Sequence, residues 1–322
     1  MKDNFVPPGP LTTPVLFMIF NRPETTQKVF NTIRQAKPKK LFIAADGPRP
    51  DKEGELEKCQ KAREIATPVD WDCEVKTLFR DKNLGCKIAV SSAIDWFFEN
   101  IEEGIILEDD CLPSQSFFWY CQELLERYKN DMRVWYIAGR NNLGSYLPSL
   151  YDYHFATGGS IWGWATWGNR WEYNNLNLDI IEDKEESKKL KDFLCNADAF
   201  RGHLDAMRAI KEGKVNTWDY YWEFSTKINN GLAIVSSKNL VKNIGFGEDA
   251  THTTTCNNIE QLNMIANEIV FPIKHPSIIS VDRELSNLLD NIAFPPESKL
   301  KLFIKKFPVL YRFAKIIKDK LL

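Results

Sequence analysis

The chain lacks any hydrophobic run approaching the roughly 18 apolar residues a membrane-spanning helix needs. Its N-terminal run, "VLFMIF" at 15–20, has six residues and follows several prolines, so neither a signal peptide nor a membrane anchor is expected there. The seven cysteines are odd in number and widely spaced with no CxxC pair. That excludes a disulfide framework and a zinc site of familiar ligand spacing, and predicts reduced thiols in a cytoplasmic protein. Histidine is scarce, with four in 322 residues. The net charge of −2 gives no global bias toward polyanions, so nucleic acid is not an expected partner. Internal repeats and low-complexity tracts are also missing. What remains is a chain with 43% hydrophobic residues, long enough for one large domain or two small ones with a real core.

The near-balance of charge hides an asymmetry. The segment "KLKLFIKKFPVLYRFAKIIKDKLL" (299–322) carries eight basic residues against one Asp, hence +7, while everything before it carries −9. Leu310, Phe313, Ile317 and Leu321 fall on one face of a helix, with Arg312, Lys315, Lys318 and Lys320 around it. A basic amphipathic helix of this kind binds anionic membrane surfaces. The expected place is therefore the cytoplasm, peripheral on the inner face of the cell membrane; the competing reading packs the same apolar face on the domain.

Strand-length apolar runs recur in the first half: "VLFMIF", "KLFIAA" (40–45), "EVKTLF" (74–79), "GIIL" (104–107) and "VWYIAG" (134–139). Helical patterns lie between most of them. "PETTQKVFNTIRQAK" opens with Pro in its first turn and sets Val29, Phe30 and Ile33 on one face; "SQSFFWYCQELLERYKND" opens on Ser114 as its cap. Alternating strands and helices predict an α/β layered domain with a mostly parallel sheet, whose ligands sit at the carboxyl ends of the strands.

Those ends carry charge. "NRP" with Arg22 follows the first strand, "DGPR" with Asp46 the second, "RDKNLG" the third, and Glu108, Asp109 and Asp110 end the fourth. With 44 acidic residues in the chain, a triplet of them arises by chance about once, so position, not the string, is the signal. Three adjacent carboxylates at the end of a buried strand repel one another and resist desolvation unless a cation or several donors compensate. Mg2+ or Mn2+ suits such oxygens and also holds a diphosphate. Alternation sends Glu108 and Asp110 to one side and Asp109 to the other. Arg22 suits a phosphate and Asp46 a ribose hydroxyl or base edge.

In order and spacing, "FNRPETTQKVFNTI", "FIAADGPR", "RDKNLGCKIAVSSAIDWFF" and "GIILEDDCLPSQSFFWY" resemble the nucleotide-sugar half of a GT-A fold (nucleotide-diphospho-sugar transferase) glycosyltransferase. More closely, the chain is similar to the N-acetylglucosaminyltransferase I type, where an EDD triplet stands in for DxD, and to bacterial transferases that build surface polysaccharides. The likeness continues through "GGSIWGW", "WDYYW" and "NLVKNIGFGEDATHT". It implies a GT-A catalytic domain over 1–255, with a nucleotide-sugar half (14–145) and an acceptor half (146–255). A C-terminal extension (256–298) and the basic helix (299–322) follow. It implies a mostly parallel central sheet with helices on both faces, Arg22 and Asp46 on uridine diphosphate, Glu108 and Asp109 on donor sugar or ribose, and Mn2+ (or Mg2+) on Asp110. Where the family has a nucleotide-contacting His, this chain has Lys87.

The second half is aromatic and irregular. Trp162, Trp164, Trp167 and Trp171 sit in a glycine-broken stretch; their rings suit the CH faces of a sugar, with Trp162 and Trp164 as acceptor contacts, against an ordinary core role. In "NTWDYYWEF", Asp219 and Glu223 stand one helical turn apart. An inverting transferase needs a carboxylate base for the acceptor hydroxyl; Asp219 is the best match to the family's base, with Glu223 in reserve and a helix cap as the plain alternative for Asp219. In "GFGEDATHT", Thr251 and His252 belong to a glycine-containing loop suited to closing over a diphosphate.

The expected activity is metal-dependent, inverting transfer of a sugar from a nucleotide-sugar donor, with UDP the expected nucleotide. The acceptor is a hydroxyl of a glycan or lipid-linked glycan in surface polysaccharide synthesis. Two rivals stand. A sugar-phosphate nucleotidyltransferase shares the sheet but needs a Gly-rich triphosphate loop, which "FMIFNRPETT" lacks. A non-catalytic carbohydrate- or membrane-binding protein would work through the tryptophans and the tail.

Overall fold

The computed structural model describes residues 5–147, 149–174, 178–194, 197–246 and 264–295. The five strands expected in the first half form within a residue of their predicted bounds: β1 Val15–Ile19, β2 Lys40–Ala45, β3 Glu74–Phe79, β4 Glu103–Glu108 and, after the short β5 Cys111–Pro113, β6 Val134–Ala138. The aromatic half adds β7 Tyr153–Ala156, β8 Trp164–Trp167, β9 Leu232–Ser236 and β10 Val241–Asn243. Eight of them make one sheet in the order β3-β2-β1-β4-β8-β6-β9-β7, and β5 pairs with β10 in a small second sheet.

The chain is an α/β protein with a mixed sheet. Strands β3, β2, β1 and β4 are parallel, β8 runs against both β4 and β6, β9 is parallel to β6, and β7 is antiparallel to β9. The tryptophan stretch that reads as irregular thus supplies a central, reversed strand. All four of its residues are buried, because both faces of the strand are covered.

Alternation along β1 shows the layering. Val15, Phe17 and Ile19 pack with Phe30 and Ile33 of α1 (Pro23–Ala36) and Leu124 of α4 (Gln115–Tyr128). Leu16 and Met18 turn to the other layer, with Ile94 and Phe97 of α3 (Gly85–Phe98). Helix α1 starts at Pro23 and buries Thr26, Val29, Phe30, Ile33 and Ala36, the stripe its spacing predicts. Ser114 stands at the N-cap of α4, but its side chain does not cap. The Glu268 carboxylate, distant in sequence, takes the amides of Gln115 and Ser116 at 3.1 and 2.7 Å instead, an anion at the positive end of the helix.

Helix α2 (Glu55–Ala66) packs on α1. The charged stretch after 177 forms a short 3-10 turn (Leu178–Glu182) and α6 (Lys184–Phe193), which follows the one-turn α5 (Gly168–Trp171). With α7 (Ala197–Lys211) and α8 (Asp219–Ile228) it builds a third apolar cluster around Leu190, Met207 and Phe224. Helix α9 (Arg283–Ala293) is capped by Asp282, which accepts from the Leu285 amide. The cysteines at 59, 73, 86, 111 and 121 are free thiols. Among the described residues no helix is long and apolar enough to cross a membrane. Thr251, His252 and the basic segment 299–322 lie outside the described residues.

Candidate active site

Register brings the strand ends together. Ile19 pairs with Ala45, and Met18 pairs with Glu108, so the residues just beyond β1, β2 and β4 leave the sheet at one rim. There they line a cleft of about 480 Å³. Arg22, Asp46, Glu108, Asp109 and Asp110 form one wall, and Trp162 and Asp219 also face the cleft.

Arg22 Nη1 donates to Asp110 Oδ2 at 2.8 Å, with both side chains mostly buried. The loop after β10 lies directly against this pair: the Ile244 amide donates to the Asp110 carbonyl at 2.8 Å, and any side chain at Gly245 would collide with both partners. Asp109 turns toward the sheet, where its Oδ2 accepts the Phe20 amide at 3.0 Å. Burial, followed by the nearby charge of Asp110, pushes the Glu108 and Asp109 carboxyls well above the usual carboxylate range. The three acids are thus inequivalent: one ion-paired, one tied to backbone, one buried and prone to hold a proton.

Asp46 is where the sequence expects a ribose contact, but its oxygens are occupied. They accept the amides of Gly47, Leu84 and Gly85 and the Asn83 side chain, at 2.9 to 3.1 Å. A carboxylate has about four such sites, so Asp46 works as the N-terminal anchor of α3. Gly47 is required beside it, because a Cβ would strike the backbone of Asp81 and Lys82. Lys87 is not on the cleft wall; its ammonium bonds the Tyr221 hydroxyl at 3.1 Å and lies 4.4 Å from that ring's centre.

Two cleft cations were not singled out from the sequence, although both stand in strand-end strings. Arg49, in "DGPR", is held by buried Glu55, which takes its backbone amide at 2.6 Å and its Nε at 3.0 Å and also bonds Asn21. Arg80, in "RDKNLG", donates to Ser92 Oγ at 2.7 Å. Both line the cleft.

Asp219, also on the cleft, opens α8. Its Oδ1 accepts the Thr217 hydroxyl and the Tyr220 amide, while no other described residue bonds Oδ2. Burial pushes its carboxyl above the ordinary value, against those two hydrogen bonds. Trp218, Trp164, Trp171 and Trp222 hold this end of α8 in a block of rings with centroids 5.3 to 6.2 Å apart. Trp164, expected to touch acceptor, is therefore core, 1% exposed and off the cleft wall. Trp162 is half-buried on the cleft, with the Arg140 guanidinium 4.5 Å over its ring. Glu223 is also off the cleft wall, paired with Lys227 at 2.9 Å.

Among the described residues no group of three metal-ligating side chains stands ready for an ion. The donor chemistry still fits a divalent cation in a particular way. The cleft wall carries five carboxylates and three guanidinium groups, and of the latter Arg22 is already paired with Asp110 and Arg49 with Glu55. Mg2+ is commonly held by one or two carboxylates plus substrate phosphates rather than by an all-protein cage, and Asp110 offers such an oxygen.

No protein-family model matches the chain, and no curated protein matches it. Solved structures are similar at a distance, among them the following three. HddC from Yersinia pseudotuberculosis aligns at 10% identity and TM-score 0.26, over 39% of this chain and 57% of its own. UDP-glucose pyrophosphorylase aligns in its apo form at 9% identity and TM-score 0.37, and complexed with UDP-glucose at 10% and 0.36, each over 72% of this chain and 93% of the other. These likenesses are too remote to carry chemistry, which rests on the cleft's own side chains.

Proposed function

We propose that the chain acts on a nucleotide-activated sugar in this cleft, and that the reaction is glycosyl transfer to a hydroxyl. The reading rests on one observation above all: a buried carboxylate, Asp219, whose Oδ2 no other described residue bonds, shares a cleft with the Arg22–Asp110 pair. In this reading Arg22, Arg49 and Arg80 offer charge to the donor phosphates. Asp110 would hold Mn2+ or Mg2+, and a divalent cation there would supply positive charge to the donor diphosphate. Asp219 takes the proton of the attacking hydroxyl, and a carboxyl raised by burial is closer to the proton affinity that general base catalysis needs. The acceptor would be a glycan or lipid-linked glycan, with the basic tail binding an anionic membrane.

A second reading is nucleotidyl transfer, the activity named in the UDP-glucose pyrophosphorylase structures. Against it, the β1–α1 turn, Phe20 to Arg22, contains no glycine to cradle a triphosphate. The deciding experiment incubates the protein with UDP-, GDP-, dTDP- and CDP-sugars, with and without Mn2+. Release of nucleoside diphosphate, abolished by Asp110→Ala, supports glycosyl transfer. Formation of nucleoside triphosphate when pyrophosphate is added supports nucleotidyl transfer instead. Absence of both overturns the proposal.

A further inference from the structure

Arg22 suits a phosphate and Asp110 a divalent cation, yet in this cleft they hold each other. Arg22 follows β1 and Asp110 follows β4, two strands paired side by side, so their side chains meet at the rim. Arg22 Nη1 reaches Asp110 Oδ2 at 2.8 Å, and the two side chains are 16% and 19% exposed. Both line the cleft of about 480 Å³, so the pair borders open space rather than packed core. The loop after β10 is built closely against it at Gly245, where a Cβ would collide with both partners.

The bond sets a condition on binding. A ligand for either partner must first open the pair, and its apparent affinity falls by the fraction of molecules in which the pair is open. The first ligand to bind carries that cost and spares the second, so the two bind with positive coupling, equal in either order. The neighbouring charges do not offer the same exchange. Asp109 is 7% exposed and its Oδ2 takes the Phe20 amide, while Arg49 is held by Glu55, whose side chain is 5% exposed. Of the two carboxylates that hold a cleft arginine, Asp110 is the more open to a cation.

We propose that the Arg22–Asp110 pair is a reciprocal lock on the empty cleft: each side chain occupies the other's ligand position until a nucleotide phosphate takes Arg22 and a divalent cation takes Asp110. The inference rests on the nucleotide-sugar reading and adds a coupling to it. Nucleotide and cation each bind weakly alone and tightly together, because both draw on the opening of one ion pair.

Two reciprocal variants of the full chain test the lock by equilibrium binding. Arg22→Gln takes the guanidinium off Asp110, so Mn2+ added without nucleotide, followed by the EPR signal of the free ion, should bind about fivefold or more tighter than to wild type. Asp110→Asn releases Arg22, so UDP, GDP, dTDP or CDP in EDTA, followed by calorimetry, should likewise bind about fivefold or more tighter. A misfolded variant loses affinity, so a gain is not a product of damage. Removing any charge also alters the field of the cleft; Arg80→Gln controls for this with Mn2+ and Asp219→Asn with the nucleotides, and in about 0.15 M salt each should shift affinity less than about twofold. If either paired variant binds its ligand no tighter than wild type does, or a control gains as much, the lock is overturned. Nucleotide bound by none of the proteins is a separate case: it sinks the nucleotide-sugar reading and leaves the Mn2+ arm to support or overturn the hold of Arg22 on Asp110.

Discussion

Asp46 and Asp219 are the same residue type lining one cleft, and their oxygens are committed to different degrees. Asp46 spends its oxygens on Gly47, Asn83, Leu84 and Gly85, fixing the β3–α3 turn. Asp219 spends one oxygen on Thr217 and Tyr220, while no other described residue bonds the second, and it lines the cleft. A carboxylate at a strand end or helix start is thus not a functional residue by position alone; what remains after its own backbone has been satisfied decides.

That contrast is open to breaking by mutation. The largest effect belongs to Asp219→Asn, which removes the base while preserving shape: kcat should fall by roughly 10²- to 10⁴-fold with donor KM nearly unchanged. In wild type the acid limb of kcat should lie above pH ~4, because burial raises Asp219 and the base is lost as the pH falls through its raised value. An acid limb at or below the ordinary carboxylate value would assign the limb to another group.

Asp46→Ala should act on stability first. It strands three backbone amides of a packed turn and should cost roughly 2–4 kcal/mol, read as a lowered denaturation midpoint; an unchanged midpoint with a large rise in donor KM would restore Asp46 to the nucleotide. Asp290 sharpens the picture from behind α8. Burial raises its carboxyl to about 6, so its contribution to stability is full below the unfolded value near 4 and is lost as the pH rises through 6. Asp290→Asn should therefore raise stability by roughly 1–3 kcal/mol at pH 7.5 and by little at pH 4, measured by chemical denaturation at both. The smallest effect is expected from Lys87→Ala. Its ammonium is engaged by Tyr221, so donor KM should move less than about threefold, one weak surface interaction; a tenfold change would return Lys87 to the nucleotide.

Much of the charged rim is legible in the sequence because it is local. The apolar runs of β1, β2 and β4 are buried strands, and in a parallel sheet the residues that follow them must emerge at one rim; Arg22, Asp46 and the 108–110 triplet follow from that rule. Arg49 and Arg80 were within reach of it, since they stand in the same turns. The aromatic side of the cleft reads poorly because its information is non-local. The Trp162–Trp171 stretch reads as an aromatic surface, yet Trp164 is buried against Trp218 and Trp222, which are more than fifty residues away. Ser114 looks like the cap of α4, but Glu268 does that work.

The sequence by itself determined the α/β alternation, the strand boundaries of the first half and the charged rim, since each depends on spacing within a few residues. Only the tertiary structure decided how each carboxylate is used. Whether Asp46, Asp109, Asp110, Asp219 or Glu223 keeps a free oxygen depends on which amides, guanidinium and ammonium groups reach it, several from residues tens of positions away. Hydrogen bonding saturates within an ångström or two, and no pattern in the chain fixes distances that finely.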